Sequence, residues 1–434
     1  MKVKAMLLGL FLTGSVIAQD SLFTVRDAID MALKQNLAIQ IASTDLEIAT
    51  INNTWGNAGA LPIITGGLSN TEAVSNIDQE LASGTSIKRN NVSNSSFNAN
   101  LGVSWRVFNG LRVRATKDRF ESLEKMGAIA LNQQIDQIVF DVLGIYYNLI
   151  RLQKQIQATE SVMALSEERL KIAKTRLEVG SGAKTDMLQA SIDLNEQQVT
   201  LQEITTQITT SKAAMNTILK RPSGEAFTTA DRQFQIPQIN YLDMSEKIDH
   251  QNLQLLIAHQ EKVNLLAERK IINSQRIPSL TINSTTQLNR SKSRAGFFLT
   301  NQSFGPNIGV GVGIPIFNGN IHKTELKVNG IEQKRQDLQI DLIRSEVQRD
   351  LYIAFQSYKQ AESVTKLEEA NVKLAEENNM IATERFKKLQ SNSIELRQAQ
   401  LSLIQAQDRY IEAQYRAQLG AMTLKFLAGE ITKL

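Results

Sequence analysis

From Phe97 to Val107 apolar and polar residues alternate without a break, the period of a strand with one apolar face. A second run alternates Ile308, Val310, Val312, Ile314 and Ile316 with Gly309, Gly311 and Gly313. Weaker strand patterns open at Leu61 and Ile277, so two hairpins are expected, over 61–108 and 277–317. The segments Asn70–Ser96 and Asn289–Ser303 are rich in Asn, Ser, Thr and Gln and read as their exposed loops. Elsewhere the period is helical. Ile135, Ile138, Val142, Ile145, Leu149, Leu152 and Ile156 keep an unbroken 3-4 spacing, with Val139, Leu143, Tyr146 and Ile150 as a second stripe beside it. All six prolines fall at 62, 222, 237, 278, 306 and 315, which leaves proline-free tracts for long helices. Leu111–Val179 predicts a helix of about 100 Å, and Val25–Ala60 and Thr185–Leu219 helices of about 50 Å each.

The pattern occurs twice. Leu61-Pro62 recurs as Ile277-Pro278, Asn36-Leu37 as Asn252-Leu253, and Ile41-Ala42 as Ile257-Ala258. Phe108-Asn109-Gly110 recurs as Phe317-Asn318-Gly319, and the same offset then carries Arg176 to Arg385, Asp186 to Glu395 and Gln189-Ala190 to Gln398-Ala399. A duplicated unit is therefore expected. The first module covers 19–219 and the second 246–434, with a linker over 220–245. Each module runs helix, hairpin, long helix, return helix.

Periodicity leaves open whether the strands form a soluble sheet or cross a membrane. Counting narrows the choice. The strands have about the 9–11 residues of a tilted membrane strand, but four strands cannot close a barrel with a lumen. An open edge is not tolerated in lipid, so a membrane sheet requires several copies, and a trimer supplies twelve strands. Two apolar stripes on one helix likewise ask for neighbours on both sides, as in a hollow ring of helices.

Composition narrows the possibilities at three points. At 42% hydrophobic and 21% charged residues the chain is not disordered, and its net charge of +4 lacks the basic stripe of a nucleic-acid binder. Cysteine is absent, which excludes disulfides, thiolate metal sites and a lipidated N-terminal cysteine. Lys2 and Lys4 followed by the apolar Ala5–Thr13 run predict a signal peptide over 1–18, cleaved after Ala18.

With these residues in place, the chain resembles the TolC-like outer-membrane efflux proteins almost end to end. The resemblance is carried by Phe23-Thr24-Val25 through Ala28, Ala32-Leu33 and Asn36-Leu37, by Leu61-Pro62, by both Phe-Asn-Gly turns, and by Arg176-Leu177-Glu178-Val179-Gly180 with Thr185-Asp186 and Arg385-Phe386 with Ile394-Glu395-Leu396. It implies an α+β membrane protein: a trimer with a 12-stranded outer-membrane β-barrel, four strands per chain, continuing into a 12-helix periplasmic α-barrel. Residues 220–245 would join an equatorial belt. The resemblance further implies an exit duct of a tripartite efflux or type I secretion system in the outer membrane of a Gram-negative bacterium. Its partners would be a periplasmic adaptor, an inner-membrane transporter and outer-membrane lipid. No cofactor, metal or nucleic acid is expected. Thr185-Asp186 and Glu395 match the family's acidic tip motif, and with Gln398 and Arg385 they are the candidates for the periplasmic aperture or gate, as Gly180, Ser181, Gly182, Ser391 and Asn392 are for the adaptor contact. This chain departs from the family where Asn36-Leu37 replaces Asn-Pro, Leu389 replaces Gly, Gln398 replaces a carboxylate, and Phe386 and Ser391 replace a Tyr and an Arg that tie the tip closed. Arg385 or Lys184 is expected to serve as the tie instead.

Other motifs carry less. Gly180–Thr185 lacks two required residues of a phosphate-binding loop, and Gly309–Gly313 opens no helix. His250, His259 and His322 are isolated, and no nucleophile–base or metal constellation occurs, so no enzyme is expected. Trp105, Phe297, Phe298 and Phe304 are candidates for interfacial aromatic girdles. The reading that competes with a channel is a periplasmic or secreted coiled-coil scaffold without a pore.

Overall fold

A computed structural model describes residues 21–230, 233–294 and 298–433. The expected signal peptide and Phe297 lie outside the described residues. The elements run β1 (Ser21–Phe23), α1 (Val25–Gln35), α2 (Leu37–Asn52), β2 (Ile63–Glu80), β3 (Ser86–Asn109), α3 (Arg112–Glu178), α4 (Lys184–Ile218), β4 (Phe227–Thr229), α5 (Tyr241–Gln251), α6 (Leu253–Ser274), β5 (Ser279–Ser293), β6 (Thr300–Gly313), α7 (Ile321–Lys387) and α8 (Ser393–Leu427). Two compact units divide the chain. Among the described residues, one draws on 21–41, 132–253 and 344–433, the other on 42–131 and 254–343. No helix among the described residues is long and apolar enough to cross a membrane.

The second unit holds a four-stranded antiparallel sheet in the order β2-β3-β5-β6. Its register sorts the side chains by chemistry, because alternate residues of a strand point to opposite faces. Ile64, Val103, Ser284 and Ile308 form one row across the strands, and Leu68, Ala99, Leu288 and Phe304 another on the same face. The intervening rows, Thr65-Gly102-Thr285-Asn307 and Gly67-Asn100-Gln287-Gly305, lie on the opposite face. One face is thus apolar and the other small and polar. Much of the apolar face is uncovered: Leu68 is 80% exposed and Ile308 77%.

Two expectations change here. The polar stretches read as loops are strand: β2 runs to Glu80 and β3 starts at Ser86, leaving only a short turn closed by the Gly84 N–H on Leu81 O. A ladder needs backbone partners rather than apolar side chains, and polar cross-strand pairs such as Ser95 to Glu72 (2.6 Å) and Lys88 to Asp78 (3.0 Å) line it. In the other direction, β6 ends at Gly313, short of Ile314 and Ile316, because Pro315 has no N–H to donate. The helical parts of this unit are tied by buried and half-buried polar groups, among them Asn329 Nδ2 on Leu265 O (3.2 Å) and Gln336 Nε2 on Ala258 O (2.8 Å).

In the first unit, both apolar stripes of α3 are buried, including Ile138, Val142 and Leu149 of one and Val139, Leu143 and Tyr146 of the other. The Tyr146 hydroxyl donates to Phe23 O (2.8 Å), fixing the parallel pair β1–β4 against α3. The incoming helix expected over Val25–Ala60 is two helices. Asn36 adopts an extended backbone, and its Oδ1 accepts from the Ala38 and Ile39 N–H groups as the cap of α2. The break therefore forms without a proline. Asn252, also extended, breaks the second copy between α5 and α6, and the carboxamides reach equivalent places: Asn36 Nδ2 donates to Ile218 O and Asn252 Nδ2 to Leu427 O, both at 2.9 Å.

Candidate aperture at the helix turns

The helix pairs α3–α4 and α7–α8 turn at Val179–Ala183 and Lys388–Asn392. Each first helix ends in a Schellman motif, in which a left-handed residue lets two N–H groups reach back to unpaired carbonyls. At the first turn Gly180 has φ 74°, Ser181 N–H donates to Arg176 O (2.8 Å), and Gly180 N–H to Leu177 O (3.1 Å). At the second, Leu389 has φ 61°, with Gln390 N–H on Arg385 O (2.9 Å) and Leu389 N–H on Phe386 O (3.2 Å). A leucine thus occupies a conformation that favours glycine.

The two expected carboxylates sit at the same place, the third residue of α4 and of α8, where a helix N-terminus favours negative charge. Their surroundings differ. Glu395 is the centre of a closed loop: its N–H donates to Asn392 Oδ1 (2.9 Å), and its carboxylate accepts from Ser391 Oγ (2.9 Å) and from Arg385. Asp186 has no such shell among the described residues. The cap of α4 is Ala183, which has no side-chain oxygen, and Asp186 N–H donates to Ala183 O (3.2 Å). Thr185, Lys184 and Gln398 are exposed, as are Gly180, Ser181 and Asn392, while Gly182 and Ser391 are half-buried.

Behind the turns lies a network that no sequence pattern marks. Asp193 of α4 accepts from Arg169 of α3, from Arg397 of α8 (2.9 Å) and from Gln189 Nε2 (2.8 Å). Burial pushes the Asp193 carboxyl up, but these hydrogen bonds and the charge of Arg169 outweigh it and hold the group below the usual carboxylate range. Arg176 stacks its guanidinium 3.9 Å from the centre of the Phe386 ring and donates to Phe386 O. Phe386 itself packs with Ala382, Leu396, Ala399 and Ile172. Lys387 pairs with Glu168 (2.8 Å), a hydrogen bond that raises the lysine's pKa. The helices near the turns are therefore clamped within the chain by Arg169, Arg176 and Arg397, two of which fall outside every motif.

Two long helical hairpins, a four-stranded sheet with one bare apolar face and a twofold repeat of both form a combination that can be compared with known proteins. The family model described as "Outer membrane efflux protein" matches residues 28–219 and 245–430. The chain belongs to that family. It is a transport protein of the outer membrane rather than an enzyme. Among curated relatives, Nodulation protein T of Rhizobium leguminosarum bv. trifolii is 21% identical over 67% of this chain, and the match spans 61% of that protein's length. Among solved structures, the outer membrane protein VceC of Vibrio cholerae superposes with a TM-score of 0.76 at 16% identity, covering 93% of this chain and 96% of that one. The CmeC outer membrane channel of Campylobacter jejuni gives 0.77 at 15% identity, covering 94% and 86%. At these identities the likeness establishes a shared fold.

Proposed function

We propose that this outer membrane efflux family member is the exit duct of a tripartite efflux or type I secretion system. Three copies close a 12-stranded barrel in the outer membrane, and their helices form a tunnel through the periplasm toward an adaptor and an inner-membrane transporter. The duct is passive; the energy comes from the transporter. The observation that carries the reading is the sheet. Between the rows of Leu280 and Leu288 its apolar face extends eight residues along β5. That is about 27 Å along the strand and about 20 Å upright at a 40° tilt, near the ~25 Å band of membrane barrels. The two outer strands, β2 and β6, each keep an unpaired edge, which lipid does not tolerate and a ring of copies removes. A soluble scaffold would have to leave this face in water, which counts against that reading. The test is conductance in a planar bilayer together with chemical cross-linking in detergent. Conducting particles that cross-link no further than three subunits are expected; a folded, detergent-independent protein without conductance would overturn the reading.

Within this duct we assign the cation-attracting role at the periplasmic mouth to Asp186 and the tie of the second turn to Arg385 and Glu395. The Arg385 guanidinium already neutralises Glu395, so of these two carboxylates only Asp186 lacks a cationic partner among the described residues. Three carboxylates about 8 Å from a cation on the axis attract it by roughly 1.5 kcal/mol in water, about a tenfold enrichment. Asp186→Asn should therefore lower cation selectivity far more than Glu395→Gln. Equal effects of the two in single-channel recordings would remove the distinction, and selectivity that survives the double change would remove both from the aperture.

A further inference from the structure

On the apolar face of the sheet, the side chains change character abruptly beyond the row Leu68-Ala99-Leu288-Phe304. The next row on that face is Asn70-Phe97-Arg290-Gln302, and the one after it Glu72-Ser95-Lys292-Thr300. Arg290 and Lys292 are exposed and two residues apart on β5, so both project from the same face, about 7 Å apart along the strand. Gln302 and Thr300 stand beside them on β6. These four side chains offer a guanidinium, an amide, an ammonium and a hydroxyl, all of them donors, in adjoining positions. Neither cation has a carboxylate partner among the described residues. The one carboxylate in these two rows, Glu72, lies two strands away and accepts from Ser95 Oγ (2.6 Å), while Asp78 further along is taken by Lys88 (3.0 Å). From Leu280 to Leu288 the same face carries no lysine or arginine, and Arg106 belongs to the opposite, polar face.

The position identifies the ligand. At a strand tilt of about 40°, Arg290 stands about 5 Å and Lys292 about 10 Å beyond the last aliphatic row. The headgroup layer on each side of a bilayer is about 5–8 Å deep, so the pair spans it. Phe304 and Phe97, 73% and 37% exposed, flank the boundary as interfacial aromatics do. This is the hairpin end of the strands, away from the helices.

We propose that Arg290 and Lys292, assisted by Gln302 and Thr300, hold the phosphate of an anionic lipid headgroup against the outer wall of the barrel. The inference rests on the proposed function, since it needs the apolar face to lie in lipid. The full-length chain, purified in neutral detergent, is exposed to lipid A, to dephosphorylated lipid A and to inorganic phosphate. Lipid retained after exchange is read by native mass spectrometry, and conductance of the same preparation is recorded. Lipid A is expected to be retained in preference to its dephosphorylated form. Retention should fall about thirtyfold in Arg290→Gln/Lys292→Gln, two surface cations at their usual strength toward anionic membranes. Lys88→Gln, in the loop-proximal part of β3, should leave it unchanged. Equal retention by the double variant, or by Lys88→Gln and the double variant alike in their loss, would overturn the site. Occupancy by inorganic phosphate that displaces lipid A would overturn the lipid assignment. A chain that conducts yet shows no preference sinks this inference alone, whereas one that neither conducts nor retains any lipid sinks the proposed function with it.

Discussion

Leu389 offers a measurement of what a left-handed backbone costs in this fold. An L-residue there loses about 1–2 kcal/mol to the clash between its Cβ and the following carbonyl. Glycine removes the clash but gives back about 0.5–1 kcal/mol of unfolded-chain entropy. The Leu389 side chain is 71% exposed, so little burial is lost with it. Leu389→Gly should therefore stabilise the second turn by about 0.5–1 kcal/mol. The mirror change, Gly180→Leu, should cost a similar amount, because nothing lies within 4 Å of the Cβ it would add and only the φ of 74° opposes it. The effect is local and is best read by hydrogen exchange of the Gln390 amide, which closes the motif on Arg385 O. Protection should rise about two- to fivefold in Leu389→Gly and stay unchanged in Leu389→Ala, which keeps the strained geometry. If alanine protects as well as glycine, the leucine side chain and not the backbone is responsible, and the argument fails.

Other consequences can be checked on the same protein. Asn36→Ala removes the cap of α2 and a bond to a distant carbonyl, and Asn252→Ala removes the equivalent bond to Leu427 O, so each should cost about 1–2 kcal/mol in thermal unfolding. Asp193→Ala leaves Arg169 buried without its partner and should cost about 3–5 kcal/mol. The same residue fixes a pH dependence. Its carboxyl is held below the ordinary range, so its stabilisation is complete above the unfolded value near pH 4 and is lost as pH falls through the lower folded value. In Asp193→Asn that part of the acid limb should vanish; an unaltered acid titration of stability would show that the carboxylate is not held by its arginines.

Much of the design can be read from the chain before any coordinates. The alternation of Phe97–Val107 reports one apolar face because a strand repeats every two residues, and the register then aligns it with Ile308 and Phe304. The offset that links Phe108-Asn109-Gly110 to Phe317-Asn318-Gly319 returns in the backbone. Left-handed φ values occur at Gly110 and Gly319, Leu111 and Asn320, Gly180 and Leu389, and Lys220 and Gly429. What stayed hidden has physical reasons. Strand continued through Asn- and Ser-rich segments because both faces are polar there, leaving no hydrophobic contrast to detect. The Arg169–Asp193–Arg397 cluster joins three helices, and no periodicity within one helix can announce a partner on another. Asp186 and Glu395 hold equivalent positions in the repeat; the caps Ala183 and Asn392, the Ser391 hydroxyl and the reach of Arg385 across the second turn separate them.

The pairing of β3 with β5 joins residues between 170 (Asn109 with Ser279) and 199 (Asn94 with Ser293) positions apart. The open side of β3 therefore has no mate until the whole intervening module has emerged, and passage to the outer membrane lengthens that wait. In that interval the nearest matching strand belongs to another molecule, and it offers an identical ladder. Exchange between chains is thus favoured by the same register that builds the correct sheet. Correct assembly is a matter of timing: yield should fall as expression is pushed harder, and an escort that shields unfinished strands should restore it.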